Sequence, residues 1–480
     1  YNIDEDRIYL TGHSMGGSGT WYLGLHKPDV WAAIAPLSAG TDYRLRMERL
    51  IAVGEEIPEW LWALNDESSP MYLAENALNL PTFVSHGSDD KIVHVEHSRR
   101  IVAALKELGY TVEYDEVPGK GHTWGPSGRP WWGSECMDRP MISNFFHKYG
   151  RRRHPRRVHY KTNMLRFNRA YWVEIDEMDE IYRTARITAE VHEGNVVQVK
   201  TENILQYTLS LVEELGIDMD KPLTVISNGF KAQIEHIPMS GKVKLRAMRN
   251  GKGEEAGYIF LLNPEEAEKV DELEVWARLS EEGVTEMLYN QIGGKGLKKK
   301  PSLFGPIIDA FNSPFILIWG TRGDGAEVEA NKKAAYGVAT WWKAYANGEC
   351  IVKADTEVTV RDIMRYNLVL FGDSETNILI EKIKDGLPVK FEKGFIYLGS
   401  QKFTGDGISL VMIYPNPLNT ERYVLLNAST TAKGMGNFKM LYNGWMMLPD
   451  YVIFNGTIVE NGLKGYLAAG FFDKNWQLPR

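Results

Sequence analysis

The stretch Arg7-Ile8-Tyr9-Leu10-Thr11-Gly12-His13-Ser14-Met15-Gly16-Gly17 decides how the first part of this chain is read. A short apolar run over residues 8–11 has strand character and ends at Gly12. A helical segment follows over residues 16–26 and stops at Lys27-Pro28, as a helix does before proline. A Gly-x-Ser-x-Gly sequence between strand and helix makes a sharp, strained turn that pushes the serine hydroxyl into the open. Ser14 is therefore the candidate nucleophile. The backbone N–H of Met15, at the start of the helix, is the candidate oxyanion donor, and the helix N-terminus adds a favourable field.

Serine is a weak nucleophile by itself and needs a base, and the base needs a group to orient it. In this strand–turn–helix setting the partners follow in the chain order serine, acid, histidine. Residues 81–85 read as a further strand and lead into His86-Gly87-Ser88-Asp89-Asp90-Lys91-Ile92-Val93. Residues 111–117 read as another and lead into Gly119-Lys120-Gly121-His122-Thr123-Trp124. Both loops leave the carboxyl ends of strands, where open parallel sheets bind ligands. His122 is the candidate base. Asp90 is the candidate orienting acid and Asp89 the alternative, the other carboxylate then capping the turn. His86 is expected to brace the acid loop, and His13 to point away from the Ser14 hydroxyl. Trp124, Trp131 and Trp132, with Pro126 and Pro130, are candidates for an aromatic wall beside His122. Trp60 and Trp62, in a helical stretch over residues 41–80 that has the character of a lid, are candidates for the same cleft.

Working outward, strands at residues 31–37, 81–85 and 111–117 and helices at 16–26 and 95–108 alternate through residues 1–150. That alternation implies a parallel sheet with helices on its faces. An abrupt basic run, Arg151 to Arg157, marks a boundary. Residues 155–262 then alternate with period two between turn signals such as Glu193-Gly194-Asn195 and Asn228-Gly229, which predicts a β-sandwich. Residues 263–300 read as a charged helical connector. Residues 301–480 return to strand–helix alternation, which predicts a doubly wound, Rossmann- or flavodoxin-like α/β domain, with Ser374 expected to cap a helix. Gly320-Thr321-Arg322-Gly323-Asp324-Gly325 fits neither common phosphate-loop pattern and reads as a strand-to-helix turn.

The elbow sequence resembles that of esterases related to polyhydroxybutyrate depolymerases and feruloyl esterases, and of prolyl-oligopeptidase-like serine peptidases, all α/β-hydrolases. His86-Gly87-x-x-Asp90-x-x-Val93 resembles their acid loop, whose acid is the fourth residue after the histidine, and this register favours Asp90. Gly121-His122-Thr123-Trp124 is similar to their histidine loop. The later regions resemble those of large multidomain bacterial hydrolases of the prolyl-oligopeptidase-like kind. The resemblance implies a Ser–Asp–His hydrolase working through an acyl-enzyme. It also implies several strands before the elbow strand, and a second oxyanion donor from an early loop, that this chain does not contain. Opening at Tyr1 inside a domain, the chain is expected to be a piece whose sheet is incomplete on its N-terminal side.

Composition narrows the functions further. Apolar residues make up 44% and charged residues 25%, ordinary for globular protein, and the net charge of −8 argues against nucleic-acid binding, which needs a basic face. The runs at Arg151–Arg157 and Lys295–Lys300 read as solvated linkers. The two cysteines lie in different predicted domains, so no disulfide framework is expected. No cofactor and no metal site is predicted, and no apolar run is long enough for a membrane helix. The compartment is open, with a secreted or periplasmic setting preferred. Three functions remain: a carboxylesterase acting on small-molecule or polymer esters, a prolyl-oligopeptidase-like peptidase, and a non-catalytic binding or assembly protein on a hydrolase-like scaffold. A homo-oligomer or a complementing N-terminal chain is a candidate partner.

Overall fold

In the computed structural model, residues 2–124, 134–250, 255–261, 296–441, 447–457 and 462–479 are described. The expected connector lies almost wholly outside them. The chain forms two compact units, one of residues 1–49 and 65–295, the other of residues 50–64 and 296–480.

In chain order the described residues up to 146 form β1 (Tyr9–His13), α1 (Met15–His26), β2 (Ala33–Leu37), α2 (Arg44–Ala52), α3 (Glu59–Ser68), α4 (Pro70–Leu73), β3 (Thr82–Gly87), α5 (Glu96–Glu107), β4 (Val112–Val117) and α6 (Pro140–Phe146). The strands make a four-stranded parallel sheet in the order β1-β2-β3-β4. Its register aligns His13 with Leu37, Leu37 with Ser85, and Gly87 with Val117, so the loops after all four strands leave the same edge. Alternate residues face opposite layers, as a pleated strand requires. Ile34 and Val84 pack with Trp21 and Leu25 of α1 and Ile101, Val102 and Leu105 of α5. Ala33, Ala35, Leu37 and Phe83 pack with Ile142 and Phe145 of α6. Burying aromatic and aliphatic side chains of this size contributes about 2–3 kcal/mol each.

Residues 157–261 form two five-stranded sheets. One has the order β14 (Glu255–Leu261), β13 (Lys242–Arg249), β10 (Ile204–Ser210), β7 (Val173–Met178), β6 (Arg169–Ala170). The other runs β12 (Phe230–Ile234), β11 (Leu223–Ser227), β9 (Val196–Glu202), β8 (Ala185–His192), β5 (Arg157–Thr162). All pairs are antiparallel except β9 with β11. Strict alternation along β8 buries Ala185, Ile187, Ala189 and Val191, the period-two pattern of a half-buried strand. This part joins the parallel sheet through polar contacts. Asn76 Nδ2 donates to the carbonyls of Leu25 and Lys161, and its Oδ1 accepts from the Lys161 N–H. Glu75 holds His159, Lys161 and Arg186 together.

The second unit has a seven-stranded mixed sheet, β16-β15-β17-β22-β21-β23-β24. β15 (Phe315–Trp319), β16 (Ile351–Ala354), β17 (Asn367–Phe371) and β22 (Asn419–Ser429) are parallel. β21 (Ser409–Asn416), β23 (Tyr451–Phe454) and β24 (Tyr466–Gly470) run antiparallel, because Asn416-Pro417-Leu418-Asn419 turns β21 straight back into β22. Strand–helix alternation thus covers only the parallel half. β18 (Val389–Glu392), β19 (Phe395–Leu398) and β20 (Gln401–Thr404) form a separate meander. The Gly320–Gly325 turn serves the helix α7 (Gly325–Ala346), whose first N–H groups are met by Asp324 in a capping box with Glu327. In the short helix over 378–383 the cap is Asn377 and not Ser374. Asp373 Oδ1 accepts from the N–H groups of Glu375 and Thr376, and this tight turn delays the helix start. Lys299, read from sequence as part of a solvated run, is fully buried; its ammonium donates to Asp450 Oδ2 and to the Phe304 carbonyl. A buried charge persists only with such partners. Trp60 is likewise buried, its ring edge-on to Tyr466 at 5.7 Å. Cys136 is buried and Cys350 half-buried.

Candidate functional site

The elbow is built by close approach. Ser14 sits between β1 and α1 with φ 58° and ψ −115°, in the left-handed half of backbone space that a non-glycine residue occupies only at a cost of about 1–3 kcal/mol. Its N–H is tied to the Leu37 carbonyl at 2.9 Å and its carbonyl accepts from Ser18 N. A Cβ at Gly12 would stand 2.3 Å from the Gly16 carbonyl oxygen, so only glycine lets strand and helix cross here. Gly87 plays the same part for the other two loops. A Cβ there would meet the carbonyl oxygens of Lys120 and Gly121 at 2.3 Å, which is how the acid loop and the histidine loop lie against each other.

These turns bring together three side chains that are distant in sequence. Ser14 Oγ donates to His122 Nε2 at 2.7 Å. His122 Nδ1–H donates to Asp90 Oδ2, also at 2.7 Å. The other carboxylate oxygen accepts from the N–H groups of Ile92 and Val93 at 2.8 and 2.9 Å. Burial opposes charge on Asp90, but the bonds from His122, Val93 and Ile92 outweigh it and hold the carboxyl below its ordinary value. Asp89 is exposed and accepts from Ser88 Oγ, in keeping with a turn residue. Met15 opens α1, where the first backbone N–H groups have no acceptor within the helix, and its side chain is 88% exposed.

Two further histidines support this arrangement. His86 is fully buried; its Nε2 faces Asp90 Oδ2 at 3.1 Å and the Val93 carbonyl at 2.9 Å, both acceptors, so that nitrogen carries the proton. Nδ1 then accepts from Ser98 Oγ, and burial, above all, keeps the ring's pKa low. His13 donates from Nε2 to the backbone carbonyl of His122 at 2.7 Å. That brace is not legible in the sequence, because it joins a side chain to a main-chain atom 109 residues away. Trp124 is half-buried, while Trp131 and Trp132, with Pro126 and Pro130, lie outside the described residues. Among the described residues no group of three or more His, Cys, Asp or Glu is placed to hold a metal ion, and no helix is long and apolar enough to cross a membrane.

Residues 1–131 match the prolyl oligopeptidase family. An uncharacterized secreted protein of Arthroderma benhamiae is 32% identical over 162 residues, which are 31% of this chain and 15% of that protein. Acyl-protein thioesterase 1 of Neurospora crassa is 29% identical over 121 residues, 25% of this chain and 41% of the relative. A solved thermostable esterase is 30% identical over a match covering 32% of this chain and 33% of that one, at a TM-score of 0.23. The chain thus spans well under half the length of these relatives. The parallel sheet with its serine elbow is of the α/β-hydrolase type, followed by a β-rich region, and the N-terminal part is related to serine hydrolases that include both esterases and peptidases.

Proposed function

We propose that this chain carries the catalytic centre of a serine carboxylesterase, with Ser14 as nucleophile, His122 as general base and acid, and Asp90 as the group that fixes the imidazole. The observation that carries the reading is the continuous relay of two 2.7 Å hydrogen bonds from the Ser14 hydroxyl through His122 to Asp90. Asp90 accepts a hydrogen bond from Nδ1–H, which keeps the proton on that nitrogen, so Nε2 presents its lone pair to the serine. As Ser14 Oγ bonds to the ester carbonyl carbon, its proton passes to His122 Nε2. The carbonyl oxygen becomes an oxyanion beside the Met15 N–H. Collapse breaks the bond to the alcohol, which leaves with the proton from His122. Water then repeats the sequence on the acyl-enzyme and frees the acid and Ser14. Trp124, beside the base in the chain, is the aromatic group we assign to the acyl or aryl side.

An ester is favoured because its alkoxide needs less help to leave than an amine does. The similarity to a protein named as a thioesterase points the same way. The match of residues 1–131 to the prolyl oligopeptidase family supports a peptidase as the second reading. Labelling with a fluorophosphonate probe tests the nucleophile: the reading requires a stable adduct on Ser14 that is absent from Ser14→Ala. Lack of labelling would favour a non-catalytic scaffold. Turnover of 4-nitrophenyl acyl esters against peptide anilides then separates esterase from peptidase.

A further inference from the structure

A cavity of about 360 Å³ lies beside the Ser14 centre, between the residues that follow β2 and those that follow β3. One wall is Gly40, whose carbonyl lies 3.5 Å from Ser18 Oγ; Ser18 is one turn along α1 from Ser14 and bonds back to the Ser14 carbonyl. The opposite wall is Ile92 and Val93, whose N–H groups hold Asp90. The cavity therefore borders the acid's loop, and its Gly40 wall is one contact away from the helix that carries Ser14.

Its charge is one-sided. Arg46, Arg49 and Lys91 line it, and among the described residues none of their side chains has a hydrogen-bond or ion-pair partner. Asp42 is the one carboxylate in the lining, and it is paired with Arg100 at 3.2 Å, outside the cavity. Glu96 is committed to Arg99 and Arg100, and Asp66 to Arg44. The chain as a whole carries −8, so this local excess of cations runs against the overall balance. Like charges around one concave site repel each other, and an anion placed among them relieves that repulsion while gaining charge-assisted hydrogen bonds. Tyr43, Leu45 and Ile92 supply apolar surface for a short carbon chain.

We propose that this cavity receives an anionic group on the substrate, so that the Ser14 centre acts on esters bearing a carboxylate near the scissile bond. The proposal rests on the reading of Ser14 as nucleophile, and the experiment separates the two. On the full chain, kcat/KM is measured for the 4-nitrophenyl monoester of adipate and for its methyl-capped counterpart, equal in reach but uncharged. The anionic ester is expected to be preferred, and the preference to fall with added salt. In the Arg49→Gln/Lys91→Met variant the ratio of the two should drop about tenfold; in Lys106→Met, a charge removed at the far end of α5, it should stay. Calorimetry of adipate with Ser14→Ala protein gives a readout independent of turnover. Binding should be present and should be lost when Arg49→Gln and Lys91→Met are added. An unchanged ester ratio, or adipate binding that is absent or indifferent to the two substitutions, overturns the proposal. Adipate binding without turnover or fluorophosphonate labelling overturns the nucleophile and leaves the anion cavity standing.

Discussion

The first unit contains two clusters made of the same three kinds of side chain. At the sheet edge Asp90, His122 and Ser14 join carboxylate, imidazole and hydroxyl. Below it Glu67, His26 and Tyr22 do so again. In the first cluster the carboxylate accepts from Nδ1–H, and the hydroxyl donates to Nε2. In the second, His26 Nδ1 donates to the Tyr22 carbonyl of its own helix, and its Nε2 stays 3.6 Å from Glu67. Tyr22 O–H donates to the carboxylate itself at 2.7 Å, and Arg166 Nη2 does so at 3.0 Å. His26 is 2% exposed and Glu67 5%, whereas Ser14 is half-buried at an open edge. Burial opposes charge on both buried groups; it keeps His26 low, while Arg166, Tyr22 and Ser68 overcome it for Glu67 and hold that carboxyl low. The lesson is that composition does not distinguish the triad we propose from the closed cluster. The distinction lies in which ring nitrogen is committed, and in whether a cation already neutralises the carboxylate.

The comparison breaks first at Ser14. Ser14→Ala should lower ester turnover by about 10⁶-fold, with the melting temperature unmoved; retained turnover would remove the assignment. Asp90→Asn keeps the shape but frees Nδ1 from its charged acceptor, so kcat should fall by about 10⁴-fold. At the closed cluster the effect should pass from rate to stability. Arg166→Met leaves Glu67 buried beside His26 without its cation and should cost about 3–5 kcal/mol in denaturant unfolding, with kcat/KM of the folded fraction kept.

Glu75 provides a pH test of another closed site. Burial works against its charge, but His159, Lys161 and Arg186 bring its pKa down from 4.5 to about 2. A carboxylate depressed in the folded state stabilises it fully above pH 4.5, and the stabilisation is lost as the pH falls toward 2. Glu75→Gln should therefore be less stable than the parent at pH 7 by about 2–3 kcal/mol, and the two melting temperatures should converge over that acid window. The smallest effect is expected at the brace. His13→Phe should reduce kcat about fivefold, the worth of one hydrogen bond, with KM unchanged, and His13→Gln, which still donates, should recover much of it.

How much of this was legible follows from where each feature's cause sits. The elbow could be read directly, because its strain, its glycines and its flanking strand and helix are contiguous. Period-two patterns likewise exposed strands such as β5, β8, β9, β11 and β13, but not β10, whose burial does not alternate. The mixed second sheet was harder, since an antiparallel strand buried on both faces, such as β21, carries the same continuous apolar run as a parallel one. Lys299 looked like its neighbours in a basic run, and the distant Asp450, together with the nearby Phe304 carbonyl, makes it a core residue.

The chain's order of residues by itself determined the nucleophile turn and the sequence of acid and histidine loops, because backbone strain and strand ends are local properties. Tertiary structure alone decided that His122 reaches the serine while His26 is buried beside Glu67, that His13 braces the His122 carbonyl, and that three cations line one cavity. Those outcomes depend on burial and on partners brought from far along the chain, and no local pattern encodes either.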